Sequence, residues 1–250
     1  MSYVTALIDK NMREDGRKLT EYRPIKIEYD ISPKSAEGSA RVTMGETEVI
    51  AGVKMDVGTP FPDSQDQGVL IVNAELIPLA SPEFESGPPS INSIELSRVI
   101  DRAIRESGVI DFKKLCIKKG EKVWMVYIDI YPLNDAGNLF DASALAAVAA
   151  LKNAKFPAVK DDKVDYTKHT KELPLKKLPT SCTVINIKDK FLIDPTKEEE
   201  MAANARLTVA SMDNTICALQ KGNDMSLSLE DIDKMISLAI EKNKELNKLL

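Results

Sequence analysis

A short polar turn, Asn134-Asp135-Ala136-Gly137-Asn138, follows an apolar, strand-like stretch and precedes a segment rich in alanine. A turn between a buried strand and a buried helix presents main-chain N–H groups and short polar side chains at one mouth of a fold, where phosphate groups are commonly bound. No basic residue lies in this turn, and Gly137 is followed by Asn138 and Leu139. The pattern indicates a cradle for an anion that lacks its cation.

Arginines in the segment 92–107 are the second candidate for anion binding. Apolar residues recur there near helical spacing, and Gly108 just past the segment is typical of a helix C-terminus. Arg98 and Arg102 are four residues apart, so they lie on one helix face, about one turn from each other. They could bind adjacent phosphates of single-stranded RNA, or they could form surface ion pairs with Asp101 and Glu106. The periodicity alone leaves both interpretations open.

Other catalytic and metal-binding patterns are weak. The single histidine, His169, lies in a polar stretch with no serine or cysteine that the sequence can place beside it, which argues against a nucleophilic triad. Glycine-rich loops of the GxxxxGK[ST] and GxGxxG types are absent. Asp194 and the glutamates at 198–200 could hold a divalent cation, but an Asp-Pro followed by glutamates is more typical of a helix start. We therefore expect neither a metal nor a cofactor.

The composition is typical of a globular protein that does not contact membranes. The chain is 43% hydrophobic and 29% charged, has no apolar run long enough to cross a bilayer, and begins without the pattern of a signal peptide. We therefore expect a cytoplasmic protein. Cys116, Cys182 and Cys217 are odd in number and far apart, which is typical of reduced thiols.

The charge distribution restricts any contact with nucleic acid to a local surface. A net charge of −5 argues against a uniformly basic exterior. The clearest basic bias is the segment 152–177, which contains eight lysines and His169 against four acidic residues. Charge runs of this kind are usually solvated, so we favour a flexible connector over a nucleic-acid-binding patch.

The periodicity of the whole chain predicts two α+β halves. In the first half, residues 25–31, 39–44 and 48–55 alternate like half-buried strands, with a hairpin turn at 45–46, and residues 68–80 are apolar enough for a central strand. Asp141 is the predicted N-cap of the alanine-rich helix. In the second half we predict strands at 181–187 and 191–193, a short helix at 197–203, a hairpin turned at 213–214, and a closing helix capped by Ser228.

Five stretches resemble, in order and spacing, the RNase PH family. They are DGRKLTEYRPI (15–25), GSARVTMGETEVIAGVKMDVGTPFPD (38–63), GVLIVNAELIPLASPEFESGPP (68–89), IELSRVIDRAIRES (94–107) and NDAGNLFDASALAAVAAL (134–151). The resemblance covers nearly the whole chain, including FLIDPTKEEE (191–200), and is closest to the non-catalytic RNase PH-like subunits of archaeal exosomes.

This resemblance implies an RNase PH fold of two tandem sheet-and-helix halves, the first similar to domain 2 of ribosomal protein S5. The implied boundaries are an N-terminal arm at 1–24, a first domain at 25–157, a lysine-rich connector at 158–179 and a second domain at 180–250. The implied partner is a catalytic RNase PH-like subunit, with which the chain would form a hexameric ring of three heterodimers that carries RNA-binding cap subunits. Such a ring degrades RNA from its 3′ end with inorganic phosphate and releases nucleoside diphosphates.

Departures from the catalytic pattern imply that this chain is inactive. In active members the Asp-Ala-Gly of the turn is followed by threonine or serine and then by an arginine that hold the attacking phosphate, whereas this chain has Asn138 and Leu139. Loss of one such donor typically lowers the rate on the order of a hundredfold to a thousandfold. The site is therefore interpreted as a degenerate phosphate site, and no residue of this chain is predicted to be catalytic.

Two further positions support the same interpretation. An arginine expected shortly before the Glu-Leu-Ser of the arginine-bearing helix is missing, since Ile91 and Asn92 stand there. A catalytic aspartate expected about six residues ahead of Asp194 aligns with Lys188. In non-catalytic subunits the arginine-bearing helix faces the partner's active site, so the resemblance favours RNA binding by Arg98 and Arg102. The alternatives are an active phosphorolytic exoribonuclease using Asp135, Asp141 and Asp194 around a metal, or a structural protein that never touches RNA.

Overall fold

The first half of the chain forms a six-stranded sheet in a computed structural model that describes residues 3–160 and 163–250. Its strands are β1 (Ile25–Tyr29), β2 (Gly38–Met44), β3 (Thr47–Gly58), β4 (Val69–Ala74), β5 (Cys116–Lys118) and β6 (Lys122–Asn134). The order is β1-β2-β3-β6-β4, with β5 paired to β6. The parallel pair is β4 with β6, and the other pairs are antiparallel. The predicted hairpin between β2 and β3 is confirmed, with Met44 opposite Thr47.

Two helices pack on this sheet, α2 (Ile91–Ser107) and α3 (Leu139–Asn153). The short helix α1 (Tyr3–Asp9) packs instead on the second half of the chain, where Ile8 contacts a cluster formed by Ile185, Ile187 and Leu192. Helix α2 begins where the Ser90 side chain accepts a hydrogen bond from the N–H of Ser93, and it ends at Gly108 in the left-handed conformation with φ of 64°. This end confirms the predicted C-terminus. Its apolar face, which includes Leu96 and Ile100, is buried in the main core.

The segment predicted as a flexible lysine-rich connector contains ordered strands instead. Strand β7 (Lys155–Lys160) pairs antiparallel with β8 (Lys163–Glu172). The register is irregular around Pro157, which faces His169, because proline cannot donate to the ladder. The ladder hydrogen bonds join main-chain groups, so a lysine-rich composition weakens a hairpin only where like charges face each other and does not exclude it.

The second half of the chain forms a four-stranded antiparallel sheet in the order β10-β9-β11-β12. Its elements are β9 (Thr180–Ile187), β10 (Lys190–Ile193), α4 (Lys197–Ala202), β11 (Ala205–Met212), β12 (Thr215–Gly222) and α5 (Leu229–Asn247). The predicted hairpin at 213–214 and the Ser228 cap of α5 are both confirmed. Helix α5 packs on β9 and β11.

Helix α3 contacts both sheets, because it packs on β2 and β3 of the first sheet and on β9 of the second. All residues from Asp141 to Leu151 are buried. The small alanine side chains let neighbouring main chains approach α3 closely. A Cβ atom added at Gly38 of β2 would lie 2.4 Å from the carbonyl oxygen of Ala150 and 2.6 Å from the Cα of Ala154.

Two local predictions are wrong. The central strand predicted over 68–80 ends at Ala74, and β4 lies at the end of the sheet order, beyond β6. It is apolar because α2 covers it. Asp141 is not an N-cap, since α3 begins at Leu139 after Asn138 and Asp141 lies fully buried in the first turn.

Among the described residues, no helix combines the length and apolarity needed to span a bilayer.

We expect Gly38→Ala to destabilise the fold strongly, because its Cβ would overlap main-chain atoms of α3 that cannot move independently. Overpacking of this kind costs about 1–3 kcal/mol. Gly52→Ala on β3 is the matched control, since its nearest neighbour would be the Ala36 Cβ at 3.9 Å. Urea denaturation of both variants checks the prediction, and equal stabilities would contradict it.

Candidate functional site

The turn between β6 and α3 lies against the start of α4. A Cβ atom added at Gly137 would lie 2.4 Å from the carbonyl oxygen of Pro195 and 2.6 Å from the carbonyl carbon of Thr196, and Gly137 has φ of 92°. Both the contact and the conformation therefore require glycine. The next residue, Asn138, adopts the left-handed conformation with φ of 60° and is fully buried.

The donor groups of Asn138 are bound by the protein itself, whereas its buried Oδ1 has no hydrogen-bond partner among the described residues. Its main-chain N–H donates to Glu200 Oε1 at 2.8 Å. Its side-chain Nδ2 donates to Asp141 Oδ2 at 3.0 Å and to Asp194 Oδ1 at 3.1 Å. The amide that a phosphate would need at this helix start is thus occupied by a carboxylate from α4.

Cations do reach the turn, but they come from distant parts of the chain and contact oxygen atoms of the protein. Arg23 donates to the carbonyl oxygens of Ala136 at 2.8 Å and Gly137 at 3.0 Å. Lys197 donates to Asp135 Oδ2 at 2.5 Å. Neither residue was predicted from the sequence to lie at the turn. The signal for Arg23 was its place in the DGRKLTEYRPI stretch, although nothing local showed where its side chain would lie.

The buried carboxylate of Asp194 forms ion pairs with two arginines. Its Oδ2 accepts from Arg17 at 2.9 Å and from Arg23 Nε at 2.9 Å, and its Oδ1 accepts from Arg23 at 2.6 Å. Beside it, Glu199 completes a capping box with Thr196 at the start of α4 and accepts from the buried guanidinium of Arg13 at 2.9 Å. The helix-start interpretation of this acidic run is confirmed. Within the described ranges, no group of histidine, cysteine, aspartate or glutamate is arranged to hold a metal ion.

Lys188 lies in the turn between β9 and β10, and its Nζ contacts Asp9 of α1 at 2.6 Å. The turn at 134–138 is called the phosphate turn below, after the hypothesis drawn from the sequence. The carboxylate beside it is Glu200, which lies six residues after Asp194. Lys188 is therefore not the residue that replaces a catalytic aspartate beside the turn, and the hypothesis of a degenerate site depends on the residues of the turn and of the start of α2. There, Ile91 and Asn92 are both exposed and neither is basic.

Two carboxylic acids near the turn have raised pKa values. Burial raises the pKa of Asp141 to about 7, although hydrogen bonds from Thr183 and Asn138 oppose the shift. Burial likewise raises the pKa of Glu200 to about 7, opposed by the N–H of Asn138. The site is therefore rich in acceptors and unfavourable for a further anion.

Next to the turn is a pocket of about 180 Å³ between α2, the start of α3 and α4. Its polar lining includes Asn92, Glu95 and Lys197, and its apolar lining includes Phe84 and Phe140. We refer to it as the turn pocket.

Arg98 and Arg102 are exposed on α2 as the sequence predicted, and no described residue forms a hydrogen bond or an ion pair with either of them. Asp101 is bound instead by Arg105, with contacts of 2.6 and 3.0 Å. The surface-pair alternative therefore applies to Arg105 and not to Arg98 or Arg102. These two line a groove of about 320 Å³ between α2 and the strands β11 and β12, which we call the arginine groove.

Comparisons with known proteins agree with this fold. Residues 21–157 match domain 1 of the 3′ exoribonuclease family (RNase PH), and residues 177–242 match its domain 2. The chain belongs to the 3′ exoribonuclease family, and the RNase PH fold inferred from the sequence is confirmed.

The chain is 46% identical over 248 residues to the exosome complex component Rrp42 of Methanosarcina acetivorans, covering 99% of this chain and 91% of that protein. It is similar to a chain in a structure of the Archaeoglobus fulgidus exosome with RNA bound to the active site, with a TM-score of 0.92, 46% identity and coverage of 98% and 95%. It is also similar to a chain of an archaeal exosome core, with a TM-score of 0.88, 42% identity and coverage of 98% and 94%.

We expect the free energy of unfolding to fall as the pH rises through about 7. A carboxyl group whose pKa is raised by folding binds its proton more tightly in the folded state, so its stabilising effect is complete below its ordinary pKa and is lost above the raised value. Asp141→Asn should reduce this fall, because one of the two groups no longer titrates. Urea denaturation at pH 5 and at pH 8 measures the free energy of unfolding on either side of the raised pKa values of about 7. Asp63→Asn, in an exposed loop, is the control, and an unchanged pH dependence in Asp141→Asn would contradict the assignment.

Proposed function

We propose that this chain is a non-catalytic, RNA-contacting subunit of an exosome that degrades RNA from its 3′ end with phosphate. The observation that carries the proposal is the state of the phosphate turn: the N–H of Asn138 is bound to Glu200, and the nearby Arg23 is bound to carbonyl oxygens and to Asp194. A phosphate nucleophile must be held in line while still charged, which requires a cation or several free donors. The turn offers acceptors instead.

The assembly that we propose follows the relatives. The chain would alternate with a catalytic RNase PH-like subunit in a ring of three heterodimers, and RNA-binding cap subunits would bind to that ring. Similarity to Rrp42 from Methanosarcina acetivorans and to chains of two archaeal exosome structures supports this assembly. We place the complex in the cytoplasm.

Arg98 and Arg102 are proposed to hold phosphates of single-stranded RNA near the catalytic subunit. Both are exposed and lack partners among the described residues, so neither has to break an ion pair in order to bind RNA. A guanidinium group can form two parallel hydrogen bonds with one phosphate, and two groups one helical turn apart can engage consecutive phosphates.

The alternative of an active exoribonuclease is less well supported by the geometry. It would use Asp135, Asp141 and Asp194 around a metal ion, but each of these carboxylates has a protein partner. Asp135 binds Lys197, Asp141 accepts from Asn138, and Asp194 binds two arginines.

We expect the purified chain alone to release no nucleoside diphosphate from 3′-labelled RNA in the presence of phosphate, because it lacks a phosphate site. Addition of the catalytic partner should start the release. Thin-layer chromatography of the labelled products measures both reactions. The partner alone is the control, and diphosphate release by the lone chain would contradict the non-catalytic role.

We expect Arg98→Ala with Arg102→Ala to weaken RNA binding and to reduce its dependence on salt. For single strands, each phosphate contact contributes about 0.7 to the slope of log affinity against log salt concentration, so the double variant should lose roughly 1.4. Fluorescence anisotropy with labelled oligonucleotides measures the slope. Arg105→Ala is the control, since Arg105 is paired with Asp101. An unchanged slope in the double variant would favour a structural protein that does not touch RNA.

A further inference from the structure

The turn pocket and the arginine groove are adjacent, because Glu95 lines both of them. Asn92, Glu95, Arg98 and Arg102 occupy one side of α2, at intervals of three, three and four residues. Measured along the helix axis, Arg98 lies about 4.5 Å and Arg102 about 10.5 Å beyond Glu95. An RNA strand bound by the two arginines would therefore pass the mouth of the turn pocket.

The size of the turn pocket suits one planar group. Pockets for drug-sized ligands are about 300–1,000 Å³, and the turn pocket has only about 180 Å³. Leu139 and the rings of Phe84 and Phe140 line it. The Arg206 guanidinium covers one face of Phe140, 4.1 Å from the ring centroid, and Lys197 Nζ lies 5.8 Å from the centroid of Phe84. A base would therefore pack on the remaining ring surfaces. Single-stranded RNA is commonly recognised through unstacked bases that pack on aromatic side chains.

The charges of the pocket favour a neutral group with N–H donors over a phosphate. Its two cations are already paired: Lys197 binds Asp135, and Arg206 binds Glu95 Oε1 at 2.5 Å. Gln220 also donates to Glu95 Oε1, at 3.2 Å, so both described contacts of this carboxylate use the same oxygen. No described residue forms a hydrogen bond with Oε2 of Glu95, so this oxygen is free to accept one.

Asn92 supplies a further polar group at the pocket. It is exposed, it lies one helical turn before Glu95, and its side-chain amide has no partner among the described residues. An amide offers both a donor and an acceptor, and it can therefore add a contact to the edge of a base that already donates to Glu95.

We propose that the turn pocket binds one nucleobase of the RNA strand held by Arg98 and Arg102, and that Glu95 selects bases with an exocyclic amino group. This inference rests on the proposed function, because the arginines deliver the strand. Cytosine carries an N4 amino donor where uracil carries the O4 acceptor. The pocket would thus favour cytosine, and among purines adenine and guanine, over uracil.

The test compares binding of fluorescein-labelled oligo(C) and oligo(U) of equal length to the full chain. We expect a preference for oligo(C) of about tenfold, which corresponds to one hydrogen bond to a charged acceptor. Glu95→Gln should abolish or reverse this preference, because an amide can donate to O4 of uracil and still accept from Arg206. Phe84→Ala should reduce it without altering Glu95.

Phe61→Ala is the matched control, since Phe61 is an exposed loop phenylalanine that does not line the turn pocket. It should keep the preference for oligo(C). Equal binding of the two oligonucleotides by the unmodified chain would overturn the inference, as would an unchanged preference in both Glu95→Gln and Phe84→Ala.

The double variant Arg98→Ala with Arg102→Ala separates this inference from the proposed function. Weaker binding of both oligonucleotides by this variant, together with no base preference in the unmodified chain, would leave the phosphate contacts standing and refute the pocket. Unchanged binding of both oligonucleotides by the double variant would refute the phosphate contacts of the arginines and, with them, the base pocket.

Discussion

The carboxylate of Asp194 connects three parts of the chain that are far apart in sequence. It accepts hydrogen bonds from Arg17 and Arg23 of the N-terminal segment and from Asn138 of the phosphate turn, while Asp194 itself follows β10 of the second sheet. It is fully buried, so the negative charge depends on these partners. Removal of one partner from a buried ion pair typically costs about 3–5 kcal/mol, because the other charge is left uncompensated. The geometry of the turn therefore depends on this carboxylate.

The shape of the turn is held by contacts within the protein. Gly137 fits against the start of α4, and the carbonyl oxygen of Gly137 accepts from Thr47 at 2.6 Å. Asn138 joins Glu200 to Asp194 through its main chain and its side chain. These contacts join the two halves of the fold, so they stabilise the protein whether or not an anion binds.

Helix α2 has a buried side and a side that carries the exposed Arg98 and Arg102. Its buried side, with Leu96 and Ile100, belongs to the main core, and its first turn is fixed by the cap at Ser90. Because the helix is rigid, the arginines on its other side keep a constant spacing. Arg105 illustrates the difference between exposure and availability, since it is exposed but bound to Asp101 and to the carbonyl oxygen of Leu70.

The sequence by itself determined the features that depend on neighbours along the chain. Alternation of apolar residues predicted most strands, and Gly108 and Ser228 marked the end of α2 and the start of α5. The alanine run predicted a closely packed helix, and the order of motifs was sufficient to identify the family. The absence of a cation in the turn was also visible, as was the shared helix face of Arg98 and Arg102.

Only the tertiary structure decided which distant groups meet. It placed Glu200 on the N–H of Asn138, 62 positions away, and Arg23 on Asp194, 171 positions away. Three further features also became clear only there: Asp141 is buried, β4 lies at the end of the sheet order, and the lysine-rich segment forms a hairpin. Periodicity and capping reflect interactions within about one or two helical turns, whereas the partner of a buried charge depends on the path of the whole chain.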